Sequence, residues 1–240
     1  MKNFFIYILK SLGCLAMWFV TLAIVTCIIK LPYIFEDVNL GWSCLAGFLI
    51  GLPLFYKYRC VPCYVFGHEI THWAVAFLFR RKTSNIRLSR YSGSVDVENP
   101  NIWIILGPYF IPFYMLFILG IYGTVLLFNP NFPAWVDFMI AVVIGFSYAY
   151  HVILTCIAIS NGQQDLKING VIFSLSLIIV CNVFFIYLGL MLATRQIAPG
   201  FQLLIKQLTA QSTIIWELIC NFYERCLRPS MDRPSRSDAV

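Results

Sequence analysis

Phe66-Gly67-His68-Glu69-Ile70-Thr71-His72-Trp73 is the stretch that decides how this chain reads. It places three charge-capable side chains inside a run, Cys60 to Phe79, that holds no other Asp, Glu, Lys or Arg and ends on Arg80-Arg81-Lys82. About 20 apolar helical residues cross a hydrocarbon core, so the run is long enough to be a span. A charged group at that depth costs about 3 kcal/mol or more and marks a functional position by default. On a helix, residues four apart share a face. His68 and His72 can therefore hold one Zn²⁺ while Glu69, between them, acts as general base on a water. A satisfied polar patch facing a neighbouring helix is the plainer alternative, and an apolar span disfavours it.

Outward from this run the sequence keeps the same character. Of 240 residues, 60% are hydrophobic, 17% aromatic and only 12% charged, and the mean hydropathy is +0.79. Soluble domains carry about 25% charged residues, so a water-facing surface is excluded, and so is disorder. The net charge of +6 comes from scattered clusters, which excludes a nucleic-acid reader and suits orientation signals. The chain reads as an integral, multi-pass all-α protein whose solvent is the lipid bilayer.

Apolar runs of spanning length, free of Asp, Glu, Lys and Arg but for Glu69 in the third, are Ser11 to Ile29, Val38 to Tyr56, Cys60 to Phe79, Asn101 to Phe128, Phe138 to Ser160 and Ile168 to Thr194, which predicts six spans. The first follows Lys2 and Lys10 but no small-residue cleavage region, so it reads as an uncleaved span. Pro108 and Pro112 predict a kink in the fourth. Between the third and fourth, Ile86 and Leu88, then Val95 and Val97, alternate with polar residues around Ser92-Gly93-Ser94, predicting a short β-hairpin with Gly93 in its turn. From Phe201 to Leu227, apolar residues at helical spacing predict an amphipathic interfacial helix, followed by a disordered basic tail. The resulting division is a two-helix segment (1–59), a membrane core (60–198), the amphipathic helix (199–228) and the tail (229–240).

The basic hairpin segment (Arg80, Arg81, Lys82, Arg87, Arg90) asks to be cytoplasmic, and so do Lys57 and Arg59 at the other end of the third run. One full crossing cannot satisfy both ends. Either the third helix is partly re-entrant or the second loop departs from the rule. Most of the nine cysteines sit in apolar runs as small hydrophobes, and no disulfide framework is expected. Cys60 and Cys63 form a C-x-x-C pair suited to redox or metal chemistry, but without a second pair they read as inert thiols. Asp96, Glu98 and Asp137 read as surface charges.

Phe66 to Trp73 resembles the catalytic helix of the site-2 protease family of intramembrane zinc metallopeptidases. The order of elements is similar: motif helix, hairpin, then Asn101-Ile102-Trp103-Ile104-Ile105-Leu106-Gly107-Pro108, whose Gly-Pro looks like the family's second signature. Gln163-Gln164-Asp165 with Asn169-Gly170 looks like the segment that precedes the last helix in a bacterial subgroup. The resemblance covers residues 60 to 185 and implies a zinc endopeptidase in a bacterial cytoplasmic membrane. It implies His68, His72 and Asp165 as zinc ligands, Glu69 as the catalytic base, and a single-span membrane protein as substrate. The family's Asn after Gly-Pro and its Leu-Asp-Gly form of the third-ligand motif are both missing here. His151 therefore stays as the rival ligand, or with Asn101 as a group supporting the site. The edge at Ile86, Leu88, Val95 and Val97 could hold an unwound substrate by strand addition, and a plain connecting loop is the other reading. Two other functions fit the same residues: a non-proteolytic metal-binding membrane protein, and an ion or proton transporter. The absence of an evident repeat of spans disfavours transport. The substrate and oligomeric state are not legible.

Overall fold

The computed structural model describes residues 2–31, 38–90, 92–129, 133–160, 162 and 164–227. The Glu36-Asp37 loop, Pro130 to Phe132, Asn161, Gln163 and the tail 229–240 lie outside the described residues. The helices are α1 (Lys2–Lys30), α2 (Val38–Lys57), α3 (Val61–Leu78), α4 (Ile102–Phe110), α5 (Phe113–Phe128), α6 (Ala134–Ser160), α7 (Asp165–Ile168), α8 (Val171–Ala193) and α9 (Ile197–Phe222). A π-helical turn, Tyr223–Leu227, closes the described chain. The one sheet among the described residues is the antiparallel pair β1 (Arg87–Leu88) and β2 (Gly93–Ser94), with Arg87 opposite Ser94 and Leu88 opposite Gly93.

Local chemistry explains where the elements stop. Pro62 sits in the first turn of α3, where its missing N–H costs nothing. At the other end Arg80 takes a left-handed φ of 53°, and the Arg81 N–H reaches back to the Ala76 carbonyl at 2.9 Å, a helix-stop motif. Between α4 and α5, Ile111 is forced into extended backbone ahead of Pro112. The expected kink is a bend of 78°.

Among the described residues, four helical segments are long and apolar enough to cross a membrane: Phe4–Lys30, Asn39–Lys57, Ala134–Ser160 and Val171–Ala193. The bent pair α4 and α5 makes five if it counts as one span. The third of the six expected spans, α3, is not among them, because His68, Glu69 and His72 dilute its apolar run. Side chains such as Leu127 (83% exposed) and Phe128 (85% exposed) turn outward. That is the inverse of a soluble surface, and with these helices it gives an all-α membrane protein.

The most extensive helix contact joins α2 to α6. Gly47 and Gly51 on α2 face Ala141, Gly145 and Ala149 on α6, small residues at four-residue spacing. A Cβ on Gly47 would land on the Val142 carbonyl, and one on Gly145 on the Cys44 carbonyl. The two backbones touch, which is how helices associate where lipid removes the hydrophobic driving force. On the other side, Ile24, Cys27 and Leu31 of α1 pack with Tyr187 and Met191 of α8. Leu203 and Leu204 of α9 close this cluster, and Lys30 donates to Gln207 at 2.7 Å. Beyond that contact the apolar residues Ile215, Leu218, Ile219 and Phe222 are exposed.

Asp137 lies partly exposed at the surface, as expected, and is paired there: its Oδ1 accepts from Arg195 Nη2 at 2.9 Å and from the Tyr122 hydroxyl, tying α5 and α6 to the α8–α9 join. One sequence expectation is corrected. Cys60 and Cys63 are no inert thiols but a disulfide. Their three-residue spacing at the helix start sets the Cα atoms 5.4 Å apart, within bridging reach.

Candidate metal centre

The motif lies in the middle of α3, and its ring geometry follows from the helix: His68 and His72, one turn apart, have centroids 4.9 Å apart. The chain after α6 turns through the single-turn helix α7 and brings Asp165 to the same place. Leu166 anchors that turn in the core, Ser174 Oγ donates to the Leu166 carbonyl at 3.1 Å, and Lys10 donates to the Asn169 carbonyl at 2.6 Å. Gly170, at φ 92°, makes the sharp entry to α8 that a residue with a Cβ would resist. One ligand atom each from His68, His72 and Asp165 lie within 4.8 Å of one another.

Each of the three is held by a partner that leaves an atom free. His72 Nδ1 donates to the Ile104 carbonyl at 2.7 Å, which leaves Nε2 with a lone pair. His68 Nδ1 is paired with the Tyr64 hydroxyl at 3.3 Å, one turn back on α3. Tyr109, fully buried on α4, donates to Asp165 Oδ2 at 2.8 Å, leaving Oδ1. Two imidazoles and a carboxylate, each oriented from behind, are a donor set for zinc with an open fourth position. Tetrahedral ligands at about 2.0–2.1 Å from zinc sit about 3.3 Å apart. The three donor atoms, all within 4.8 Å of one another, approach that spacing, so the residues present fit the ion.

Glu69, next to His68 on the same helix, is buried, and the hairpin lies against it. The Val95 backbone N–H faces its carboxylate. Gly93 lies in β2 and not in the turn, which is closed by the Ser89 N–H donating to the Ser92 carbonyl at 2.8 Å. A Cβ on Gly93 would come within 2.6 Å of Glu69 Cγ and 2.7 Å of Val65 Cγ1. This glycine lets the strand rest on the carboxylate. The hairpin continues through a Thr83–Val97 bridge and the Ser84 N–H to the Asp96 carbonyl at 2.9 Å. Ile86, Val95 and Val97 are half-buried, whereas Leu88 is exposed.

Asn101 and His151 stand further back. Asn101 caps α4, its Oδ1 accepting the Ile104 N–H at 3.0 Å. It thereby steadies the residue whose carbonyl orients His72. His151 is not in the ligand cluster. It lines a small pocket with Tyr64, His68, Tyr114 and Tyr150, and its Nε2 is buried with no partner among the described residues. The sequence reading passed over Tyr64, Tyr109 and the Ile104 carbonyl. Only Tyr64 carried a signal, four residues before His68 on the same helix face.

Comparison of the chain with protein-family models, with curated proteins and with solved structures finds no match.

Proposed function

We propose that this protein is an intramembrane zinc metalloendopeptidase of the site-2 protease type, a multi-pass protein of a bacterial cytoplasmic membrane that cleaves single-span membrane proteins. The observation that carries the reading is the convergence of His68, His72 and Asp165 within 4.8 Å from two distant parts of the chain, with Glu69 the next residue after His68 on the same helix. In this reading α3 is the sixth crossing, shielded from lipid on its polar face by α4, α7 and the hairpin.

Zn²⁺, when bound there, lowers the pKa of a water towards about 7 and polarises a carbonyl. Glu69 takes the proton of the attacking water and returns it to the leaving amine. Asp165 is held by Tyr109 and His72 by Ile104, so the ligands do not reorganise during the reaction. His151, its Nε2 buried without a partner, lines the pocket it shares with His68 and supports the site from behind the ligands. An intact substrate helix hides its carbonyls in its own hydrogen bonds. An unwound segment adds to the hairpin edge formed by Ile86, Leu88, Val95 and Val97, beside Glu69.

The test is cleavage of a single-span substrate by purified wild type and Glu69→Gln in proteoliposomes. A loss of about 10²–10⁴-fold in rate is expected, with zinc retained. Cleavage at the wild-type rate by Glu69→Gln refutes the assignment.

A further inference from the structure

The start of the motif helix carries a second piece of chemistry that the proposed peptidase reaction does not use. We propose that Cys60-Val61-Pro62-Cys63 is a reversible dithiol–disulfide site that exchanges electrons with small thiols, independently of the metal centre. The pair is bridged in the structure, both residues are exposed, and they sit at the Lys57–Arg59 end of the α3 run, at the membrane surface in this reading, where a thiol reductant can reach the bond. The six cysteines described as free are Cys14, Cys27, Cys44, Cys156, Cys181 and Cys220, and none of them shares a turn with another.

Position gives the two sulfurs different roles. Cys60 is the N-cap of α3, and its side chain makes no capping hydrogen bond. The Val61 N–H is already given to the Arg59 carbonyl at 3.0 Å, and Pro62 has no N–H. The Cys63 N–H is therefore the helix-end donor within reach of a Cys60 thiolate. The positive end of the helix and the neighbouring Lys57 and Arg59 also favour that anion. Cys60 is thus the better leaving group. A thiolate of an external dithiol attacks Cys63 Sγ, the Cys60–Cys63 bond breaks, and Cys60 leaves as thiolate. The reductant's second thiol then displaces Cys63, which takes up a proton. Two electrons pass to the protein, and the reductant leaves as its own disulfide. Reduction removes the covalent tie across the first turn of the helix that bears His68. That turn is otherwise held by the Tyr150 hydroxyl donating to the Cys60 carbonyl at 2.8 Å and the Tyr114 hydroxyl to the Cys63 carbonyl at 2.5 Å.

The full-length protein in nanodiscs is equilibrated with reduced and oxidised glutathione in graded ratios, quenched, and alkylated differentially before and after complete reduction. Trypsin cutting after Arg59 and Arg80 isolates a peptide, 60–80, whose only cysteines are these two, so mass spectrometry reads the pair directly. The expected result is a reversible transition, the same approached from either side. In addition, Cys60 in Cys63→Ser alkylates at pH 7 about tenfold faster than Cys63 in Cys60→Ser, the gain in thiolate fraction for a helix-end cysteine. A pair that stays disulfide in excess dithiothreitol, or stays dithiol in oxidised glutathione, overturns the proposal. So do equal alkylation rates in the two variants. None of these readouts depends on zinc or on peptide cleavage, so the peptidase reading can fail without touching this one.

Discussion

Tyr109 decides which way Asp165 faces. Its hydroxyl is buried and donates to Asp165 Oδ2, which leaves Oδ1 available to a metal. Tyr109→Phe keeps the ring and its edge contact with His68, at 5.4 Å between centroids, but releases the carboxylate. Loss of such a supporting hydrogen bond lowers metal affinity by about 10–100-fold. Competition with a zinc chelator should show that drop in the variant, and an unchanged affinity would mean that Asp165 is not held for a metal. The motif histidines and Glu69 were legible because charge is expensive in an apolar run. Tyr109 was not, since a tyrosine among apolar residues looks the same whether its hydroxyl is idle or supports a ligand. Asp165 was legible through a resemblance and its place at the join of two spans, but its aim was not, because the turn that sets it is tied to Lys10, 159 residues from its partner Asn169.

The hairpin and α3 form one working unit through Gly93. Alternation of Ile86, Leu88, Val95 and Val97 was enough to predict a hairpin in this segment, but its paired strands, Arg87–Leu88 with Gly93–Ser94, reach into the expected turn. The role of Gly93 was misread, because a glycine beside two serines signals a turn whereas here it marks close approach to Glu69. Gly93→Val drives a side chain into Glu69 and Val65, and displacing a catalytic group by about 1 Å costs about 10²-fold in rate. The variant should lose cleavage to that extent while keeping its zinc, since the atoms nearest the added side chain belong to Glu69 and Val65. Full activity in Gly93→Val would show that the strand does not position the carboxylate. The break between α4 and α5 was fully visible as Pro108 and Pro112, because proline acts through local sterics alone.

The whole molecule rests on the α2–α6 seam, which fixes α6 and, through it, the α7 turn that delivers Asp165. Gly145→Leu places a side chain where the Cys44 carbonyl lies, and backbone cannot yield as a side chain can. Overpacking of this kind costs about 1–3 kcal/mol, or several degrees in Tm in detergent. Gly123→Ala, where an added methyl meets nothing within 4 Å, should leave Tm unchanged. The membrane class followed from composition alone, but the partnership of α2 and α6 did not, since small residues at four-residue spacing name no partner. The central claim, that two distant parts of the chain meet to hold one metal, is tested most directly by zinc content per chain after purification without added metal. The account predicts about one ion per chain in the wild type and in Glu69→Gln, and loss of the ion in His72→Ala and Asp165→Ala. A full complement of zinc in Asp165→Ala, or none in the wild type, would contradict it.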